Sequence, residues 1–179
     1  MERVAIDDVD SWQAPASVKR PVGRALGIAD AAVNYYELAP GESFAFGYHR
    51  HEGQEEVFHV LDGVVTFETG EPRIGSDGRT GSDATRETDD PDDETAEVTV
   101  EAGELVRFAP GEWQQGYNAG EERVRALALG APADSGETTI LRECPDCDER
   151  TGQEVGRAPD ADALVTTCVE CGAETGRFD

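Results

Sequence analysis

Apolar and polar positions alternate over short stretches of this 179-residue chain, and turns rich in glycine separate those stretches. Alternation with a period of two is typical of a strand that buries one face. No stretch shows convincing helical periodicity. Short strands between glycine turns favour an all-β sandwich or barrel. The pattern predicts strands over residues 31–38, 43–48, 55–61, 63–68, 97–100, 104–108, 113–118, 123–129 and 138–141.

Two other segments lack this regular alternation. Residues 1–28 are mixed in character and predict a lead-in strand or arm that covers an edge of the barrel, with Trp12 as a packing residue. Residues 71–97 contain ten acidic residues, three arginines and almost nothing apolar. Because such a segment cannot bury enough surface to order itself, we predict a solvated, flexible insertion. Its composition gives no support to a lid function.

The charge balance is strongly acidic, with 39 acidic and 15 basic residues and a net charge of −24. Lys19 is the single lysine, and the other basic residues are arginines. Such a surface repels nucleic-acid phosphates and anionic membranes. Neither a signal-peptide core nor a run as long as a membrane span is present in the sequence. We expect a cytoplasmic protein of an extreme halophile, whose acidity is an adaptation to salt and says little about partners.

All three histidines fall within eleven residues, at His49, His51 and His59. The first two are two positions apart, so in a strand they project to the same face. A turn at Gly53 lets the chain return as a second strand that brings Glu56 across from both imidazoles. Two imidazoles and a carboxylate can hold a divalent metal and leave positions open for a substrate, although a polar surface cluster is the alternative. His59 faces the other side of its strand and is expected to be packed or hydrogen-bonded.

This histidine segment also follows a known motif. From His49 to Gly63 it reads His-x-His, four residues, Glu, six residues, Gly, which resembles the first cupin motif and matches it completely. Residues 103–118 fit the frame of the second cupin motif. The resemblance spans roughly residues 30–130 and implies a mainly β fold, the cupin jelly-roll barrel or double-stranded β-helix. It also implies a divalent transition metal in the barrel, with Fe, Mn, Ni and Zn as the candidates.

The second motif departs from the cupin pattern at two positions. Ala109 stands where the family prefers proline, and Gln114 stands where the fourth metal ligand is normally histidine. A glutamine oxygen can ligate an ion weakly, or the amide can hydrogen-bond a metal-bound water, and both roles for Gln114 stay open. Three residues that flank the motif could line a pocket or be structural: Arg107, Trp113 and Tyr117.

The four cysteines form two Cys-x-x-Cys pairs separated by twenty residues: Cys144, Cys147, Cys168 and Cys171. Each pair can wrap one side of a tetrahedral zinc, and the arrangement resembles a zinc ribbon. A redox dithiol fits less well, since redox proteins rarely carry two matched pairs. The piece is too small for a sufficient apolar core, so zinc would supply much of its folding free energy. We predict a barrel at residues 1–139 and a small C-terminal zinc ribbon at 140–179.

Two classes of function remain open at this point. The first is a small metalloenzyme of the dioxygenase, isomerase or lyase type that acts on a small molecule, with its general base unidentified. The second is a non-catalytic sensor of a small ligand whose ribbon docks to a protein or nucleic acid. Nine acidic residues and three arginines between Cys144 and Asp179 disfavour nucleic acid. A homodimer and a protein partner of the ribbon stay open, because the fold by itself cannot decide.

Overall fold

The computed structural model of the protein describes residues 1–72, 95–159 and 162–179. Apart from its ends, the predicted insertion at 71–97 lies outside the described residues, so its character stays a prediction. None of the helices within these ranges is long and apolar enough to cross a membrane. The helical elements are a 3-10 turn at Ile6–Asp8 and one short helix, α1, at Val22–Ala25.

Strands dominate the described part of the chain, as the alternation predicts. In chain order they are β1 (Val18–Arg20), β2 (Ala32–Leu38), β3 (Tyr48–His51), β4 (Glu55–Asp62), β5 (Val64–Thr69), β6 (Ala96–Glu101), β7 (Leu105–Phe108), β8 (Gln114–Tyr117), β9 (Val124–Ala131), β10 (Thr138–Cys144), β11 (Glu149–Arg157), β12 (Leu164–Cys168) and β13 (Glu174–Phe178).

The strands form two antiparallel sheets that face each other. One has the order β1-β2-β9-β4-β7, and the other has the order β13-β12-β11-β10-β3-β8-β5-β6. The core between them is aromatic and aliphatic. Phe58 from the first sheet lies with its ring centroid 5.1 Å from that of Phe67 in the second, and both side chains are buried. Burial of alternate residues from both sheets therefore explains the period-two pattern of the sequence.

Glycines of the two recognised motifs lie at tight turns between strands. Gly63 joins β4 to β5 with a φ of 82°, and Gly103 precedes β7 with a φ of 93°. These are left-handed backbone conformations, which glycine adopts without the steric cost that a Cβ imposes. At Gly63 a Cβ would also lie 3.0 Å from Cγ2 of Val124. The two motif positions therefore require glycine for a reason of backbone geometry.

The predicted strand over residues 43–48 is wrong over most of its length. Residues 44–47 form a bend, and the ladder of β3 begins at Tyr48. Phe44 is buried in the core, whereas the Phe46 ring contacts that of Phe178 edge-on at a centroid distance of 5.1 Å. The two phenylalanines pack against different groups. The backbone here pairs only irregularly, through a bridge between Ser43 and Tyr117 and a hydrogen bond from the Phe44 N–H to the Gly116 carbonyl oxygen.

The N-terminal residues form the arm that the sequence predicts. β1 pairs with β2 at one edge of the five-stranded sheet, and α1 follows it directly. Trp12 is less buried than expected, because 47% of its surface remains exposed. The Arg24 guanidinium lies 5.6 Å from the centre of the Trp12 ring. The arm therefore adds an edge strand and a partly open aromatic residue beside it.

The C-terminal strands continue one of the barrel sheets. β10 pairs with β3 through residues 138–141 and with β11 through residues 141–144. Arg150 of β11 also pairs with Glu68 of β5 at 3.0 Å. The predicted boundary between residues 139 and 140 falls within β10, so the hydrogen-bonded sheet runs across it. That the two parts fold as separate units stays a prediction.

Candidate metal centre and cavity

The three predicted ligands of the barrel meet across its interior. His49 and His51 lie on β3, which belongs to the eight-stranded sheet, whereas Glu56 lies on β4 of the five-stranded sheet. The sequence suggested that the second strand returns directly alongside the first. This was wrong, because β3 pairs with β8 and β10, whereas β4 pairs with β7 and β9. The short turn at residues 52–54 instead crosses from one sheet to the other and sets the carboxylate opposite the imidazoles.

The distances among these groups suit a shared cation. Oε2 of Glu56 lies 3.7 Å from Nε2 of His49 and 3.5 Å from Nε2 of His51. One ligand atom from each of the three residues falls within 4.8 Å of the others. Two donors that are each about 2.1 Å from one ion at right angles lie about 3 Å apart, so a small contraction completes the set. The three residues could hold a metal.

The other ring nitrogen of each imidazole has its own partner. Nδ1 of His49 lies 3.1 Å from the carbonyl oxygen of Gly47, and Nδ1 of His51 lies 2.8 Å from Oγ1 of Thr138. The Gly47 oxygen can only accept, so His49 Nδ1 carries the proton and Nε2 presents a lone pair. Such outer contacts fix the ring orientation and tautomer that a metal ligand needs.

Glu56 remains ionised in this setting. Its burial alone raises the pKa, but the hydrogen bonds and attraction that His49 and His51 offer when their rings are protonated outweigh that effect and bring the pKa down to about 2. The carboxylate is therefore ionised at neutral pH. A cation at the site would find an anionic oxygen donor across the whole neutral range.

Gln114 completes the cluster from β8, and its side chain is buried. It lies directly across from His49 in the sheet register. Its amide nitrogen donates to Nε2 of His49 at 3.0 Å and to Oε2 of Glu56 at 2.8 Å. The NH₂ group thus satisfies two lone pairs that a cation would otherwise take. Meanwhile Oε1 is buried without a hydrogen-bond partner in the described residues, and rotation of the amide would turn this oxygen toward an ion.

We expect substitutions of Gln114 to tune metal affinity in opposite directions. Gln114→His should tighten Mn(II) or Ni(II) binding about tenfold or more, because imidazole is the better donor for these ions. Gln114→Ala should weaken it about tenfold, the size typical of a lost outer contact. Competition titration with a metal-sensitive dye measures both values. Unchanged metal affinity in both variants would show that Gln114 does not contact the metal and would assign it to the substrate pocket instead.

The candidate ligands lie in the wall of a cavity of about 450 Å³. The pairing of β9 with β4 explains why the cavity is not filled by side chains. On β9, between the strands that carry the polar residues, Ala128 and Gly130 face inward beside Phe58 and Glu56. Small side chains in the middle of a curved sheet leave volume that larger ones would fill. The cavity is within the size range of pockets for small ligands.

Among the lining residues that were not assigned to the site from the sequence, three polar ones lie on β1 and β2: Lys19, Asn34 and Tyr36. Asn34 and Tyr36 are two apart on β2, and Lys19 is the register partner of Tyr36 on β1. All three therefore face the interior from the edge opposite Glu56. That Lys19 is the one lysine of the chain was the sequence feature that could have drawn attention to it. Its place in the cavity depends on how the N-terminal arm pairs, which the sequence does not show.

The remaining candidates of the sequence lie away from the cavity that the metal ligands line. Trp113 is buried in a stack between Tyr48 and the guanidinium of Arg50. The other two make contacts at the surface: Arg107 pairs with Glu55, and Tyr117 donates to Glu97. These three residues therefore have structural contacts. His59 is half-buried, and its side chain lies on the outer face of β4, opposite to Glu56, as the sequence predicts.

The four cysteines form a second cluster at the other end of the larger sheet. Sγ of Cys144 and Cys171 are 3.5 Å apart, and Sγ of Cys147 and Cys168 are 3.9 Å apart. All four sulfurs fall within 4.8 Å of one another, and all are free thiols. Sulfurs at the corners of a tetrahedron with bonds of about 2.3 Å are separated by about 3.8 Å. The cluster could hold a tetrahedral ion.

The backbone around the cysteines repeats itself. Four residues after the first cysteine of each pair, a residue in the left-handed conformation donates its N–H back to that cysteine: Asp148 to Cys144 and Gly172 to Cys168, each at 2.9 Å. Oγ1 of Thr151 lies 3.2 Å from Sγ of Cys168. That contact, with backbone N–H groups, lowers the pKa of Cys168 to about 6. Two matched turns that bring four sulfurs together suit metal ligation.

Comparison with known proteins adds support from structure alone. No protein-family model matches the sequence, and no curated protein matches it significantly. The sugar phosphate isomerase of the cupin superfamily from Silicibacter pomeroyi is similar in structure, with a TM-score of 0.54 and 17% identity over 97% of this chain and 92% of that chain.

Two further solved structures are similar at the same level. A Klebsiella pneumoniae protein with a double-stranded β-helix domain has a TM-score of 0.53 and 16% identity over 78% of this chain and 96% of that one. A predicted oxalate decarboxylase from Thermotoga maritima has a TM-score of 0.50 and 18% identity over 73% and 99%. With the two facing antiparallel sheets, these similarities show that the chain has the double-stranded β-helix fold of the cupins.

Proposed function

We propose that this protein is a metal-dependent enzyme that acts on a small molecule in the barrel cavity. The observation that carries the proposal is the cluster of His49, His51 and Glu56 in the wall of a cavity of about 450 Å³. A metal bound deep in a closed core would have no access to a substrate. Here the same three side chains line the space that a small molecule could enter.

The residues present fit a divalent transition ion. Two imidazoles with oriented Nε2 atoms and an ionised carboxylate leave several coordination positions open, as in sites that bind substrate directly. When bound, such an ion supplies Lewis-acid or redox chemistry to a chelating substrate. Phe44 and Phe58 line the cavity and exclude water from part of its surface. Thr138 and Gly47 hold the imidazoles in position through their Nδ1 atoms.

The similar structures are consistent with this class of function. They include a sugar phosphate isomerase and a predicted oxalate decarboxylase, which support a small-molecule enzyme without selecting a reaction. We also propose that Cys144, Cys147, Cys168 and Cys171 hold a structural zinc ion. Its role would be to stabilise the small C-terminal strands, since the buried cluster there consists of only three described residues: Ala158, Ala163 and Val165.

The test combines metal analysis with assays of turnover. Purified protein in high salt is expected to contain two metals of different lability, a chelator-resistant zinc and an exchangeable ion. After removal of the exchangeable ion, the protein would be reloaded with Fe(II), Mn(II) or Ni(II) and incubated with a library of small hydroxy acids, keto acids and sugar phosphates. Mass spectrometry would measure consumption.

The outcomes separate the alternatives. Metal-dependent consumption of a compound supports the enzyme. Tight binding of a compound that is never consumed favours the ligand sensor instead. A single inert metal that is unchanged in His49→Ala contradicts the barrel site altogether.

A further inference from the structure

The single lysine of the chain lies in the barrel cavity. The protein has fourteen arginines, and only Lys19 is a lysine. Its ammonium lies 5.6 Å from the centre of the Tyr36 ring, and both residues line the cavity together with His49, His51 and Glu56. Lysine presents a compact point charge with three donors on a flexible stem, unlike the planar guanidinium of arginine. A composition that uses arginine elsewhere places its one ammonium at this position.

Within the described residues, Lys19 also lacks the carboxylate partner that several arginines have. Several arginines form ion pairs with carboxylates: Arg20, Arg107, Arg123, Arg125 and Arg150. In residues 1–72, 95–159 and 162–179, by contrast, Lys19 forms no ion pair with a carboxylate. Burial lowers the pKa of Lys19, and attraction from Glu56 partly opposes that change. A half-buried ammonium without a counter-ion is in a position to gain from an anion that enters the cavity.

The separation between Lys19 and the metal ligands limits the length of a ligand that could contact both. Among the described residues that line the cavity, Lys19 is the one lysine or arginine and Glu56 the one carboxylate. They lie on strands separated by β2 and β9, so three inter-strand steps of about 4.8 Å lie between their backbones along the curved sheet. The small residues Ala128 and Gly130 lie between them. One end of a small molecule could reach the metal ligands while its other end meets the ammonium.

The charge of the whole protein makes a local cation necessary for such a ligand. A net charge of −24 repels anions over the surface. We propose that Lys19 is the specificity-determining residue of the cavity, and that it binds the carboxylate or phosphate group of a substrate whose other oxygen atoms ligate the barrel metal. This inference rests on the proposed function for its second half. The substrate class is therefore small anions with a chelating oxygen, and neutral polyols are excluded.

The test uses anionic probes paired with neutral counterparts of similar size. Titration calorimetry on the manganese-loaded and the metal-free protein would compare glycolate with ethylene glycol, and glycerol 3-phosphate with glycerol, at one fixed ionic strength. The better anion of the two identifies carboxylate or phosphate as the preferred group. Wild type is expected to bind that anion at least about tenfold more tightly than its neutral counterpart, the effect of one hydrogen bond to a charged group.

Variants at Lys19 separate charge from packing. Lys19→Met keeps the apolar stem over Tyr36 and is expected to weaken binding of the anion about tenfold to a hundredfold, while neutral probes are unaffected. Lys19→Arg retains the positive charge and is expected to keep the preference for the anion over its neutral counterpart, but with weaker binding because the larger planar guanidinium replaces the compact ammonium. Arg3→Met removes one positive charge from an exposed residue and should leave all four affinities unchanged. Thermal unfolding of each variant confirms that it is folded.

Each outcome bears on one of the two proposals separately. Loss of anion preference in Lys19→Met supports the inference. The metal-free protein can show this loss even if manganese never binds. In that case the proposed metal-dependent function is wrong, but the role of Lys19 in anion binding stands. A folded Lys19→Met that discriminates as well as wild type overturns the inference, whatever the metal does. Absence of anion binding in every form of the protein overturns it as well. In that case Lys19 serves only to pack on Tyr36.

Discussion

Replacement of Cys168 by serine is expected to remove one zinc ion per chain and to unfold the strands β11, β12 and β13. Structural zinc contributes roughly 10–16 kcal/mol of apparent binding free energy in small zinc modules, far more than the few apolar contacts here can replace. Elemental analysis would measure the loss of zinc. Hydrogen-exchange mass spectrometry would show fast exchange after residue 144, with β3 less affected because it retains its pairing with residues 138–141 of β10.

A matched control is available in the same turn. Asp146 lies between Cys144 and Cys147 and is exposed, so Asp146→Asn should keep both the zinc and the protection of the strands. A variant Cys168→Ser with undiminished zinc would rule out the four-cysteine site. If the wild-type protein instead gained disulfides under mild oxidation and held no zinc, the redox alternative would replace it.

Replacement of His51 by alanine is expected to lower the affinity of the barrel for Mn(II) or Ni(II) by more than about a hundredfold, beyond the range of outer-contact effects. His51 supplies one of two imidazole donors, and no other histidine of the chain lies in the cavity. The Glu56 carboxylate stays ionised in the variant at neutral pH, but a single carboxylate with one imidazole binds such ions weakly. Competition titration, with elemental analysis of the purified protein, measures the change.

His59 provides the matched control for this prediction. It lies on β4 with Glu56 but has the outward parity, so His59→Ala should leave barrel metal affinity unchanged. Thr138→Val removes the hydroxyl that contacts Nδ1 of His51 and should cost about tenfold, as expected for an outer contact. Equal losses in His51→Ala and His59→Ala would show that the site is not the one described. A loss in Gln114→Ala as large as that in His51→Ala would make Gln114 an essential ligand.

The sequence predicted most strands because local burial controls them. Alternation along β9 and the middle of β4 reflects one face in the core, and the turns at Gly63 and Gly103 need glycine for their left-handed backbone. Where the pattern failed, at Phe44 and Phe46, one buried and one half-buried ring lie on a bend. Alternation reports which side chains are buried, whereas a ladder also needs a neighbouring backbone that only the tertiary structure supplies.

For the candidate metal site, too, the sequence predicted some features and the tertiary structure decided others. Spacing alone was enough to bring His49 and His51 to one face and to pair the four cysteines, because these relations depend on a few consecutive residues. The approach of Glu56 was predicted, but its route across two sheets was not. Gln114 was located by its frame within a motif, yet the choice of the amide nitrogen as donor to His49 and Glu56 depends on contacts across the barrel.

By itself, then, the sequence determined the β class of the fold, the turns between many of its strands, and the local sets of donors at His49, His51 and the cysteines. Only the tertiary structure decided that β10 joins the barrel sheet to the cysteine-bearing strands, and that Lys19 enters the cavity opposite Glu56. The physical reason is the range of the interactions involved. Periodicity and turn geometry act over a few residues, whereas register between distant strands is set by burial summed over the whole core.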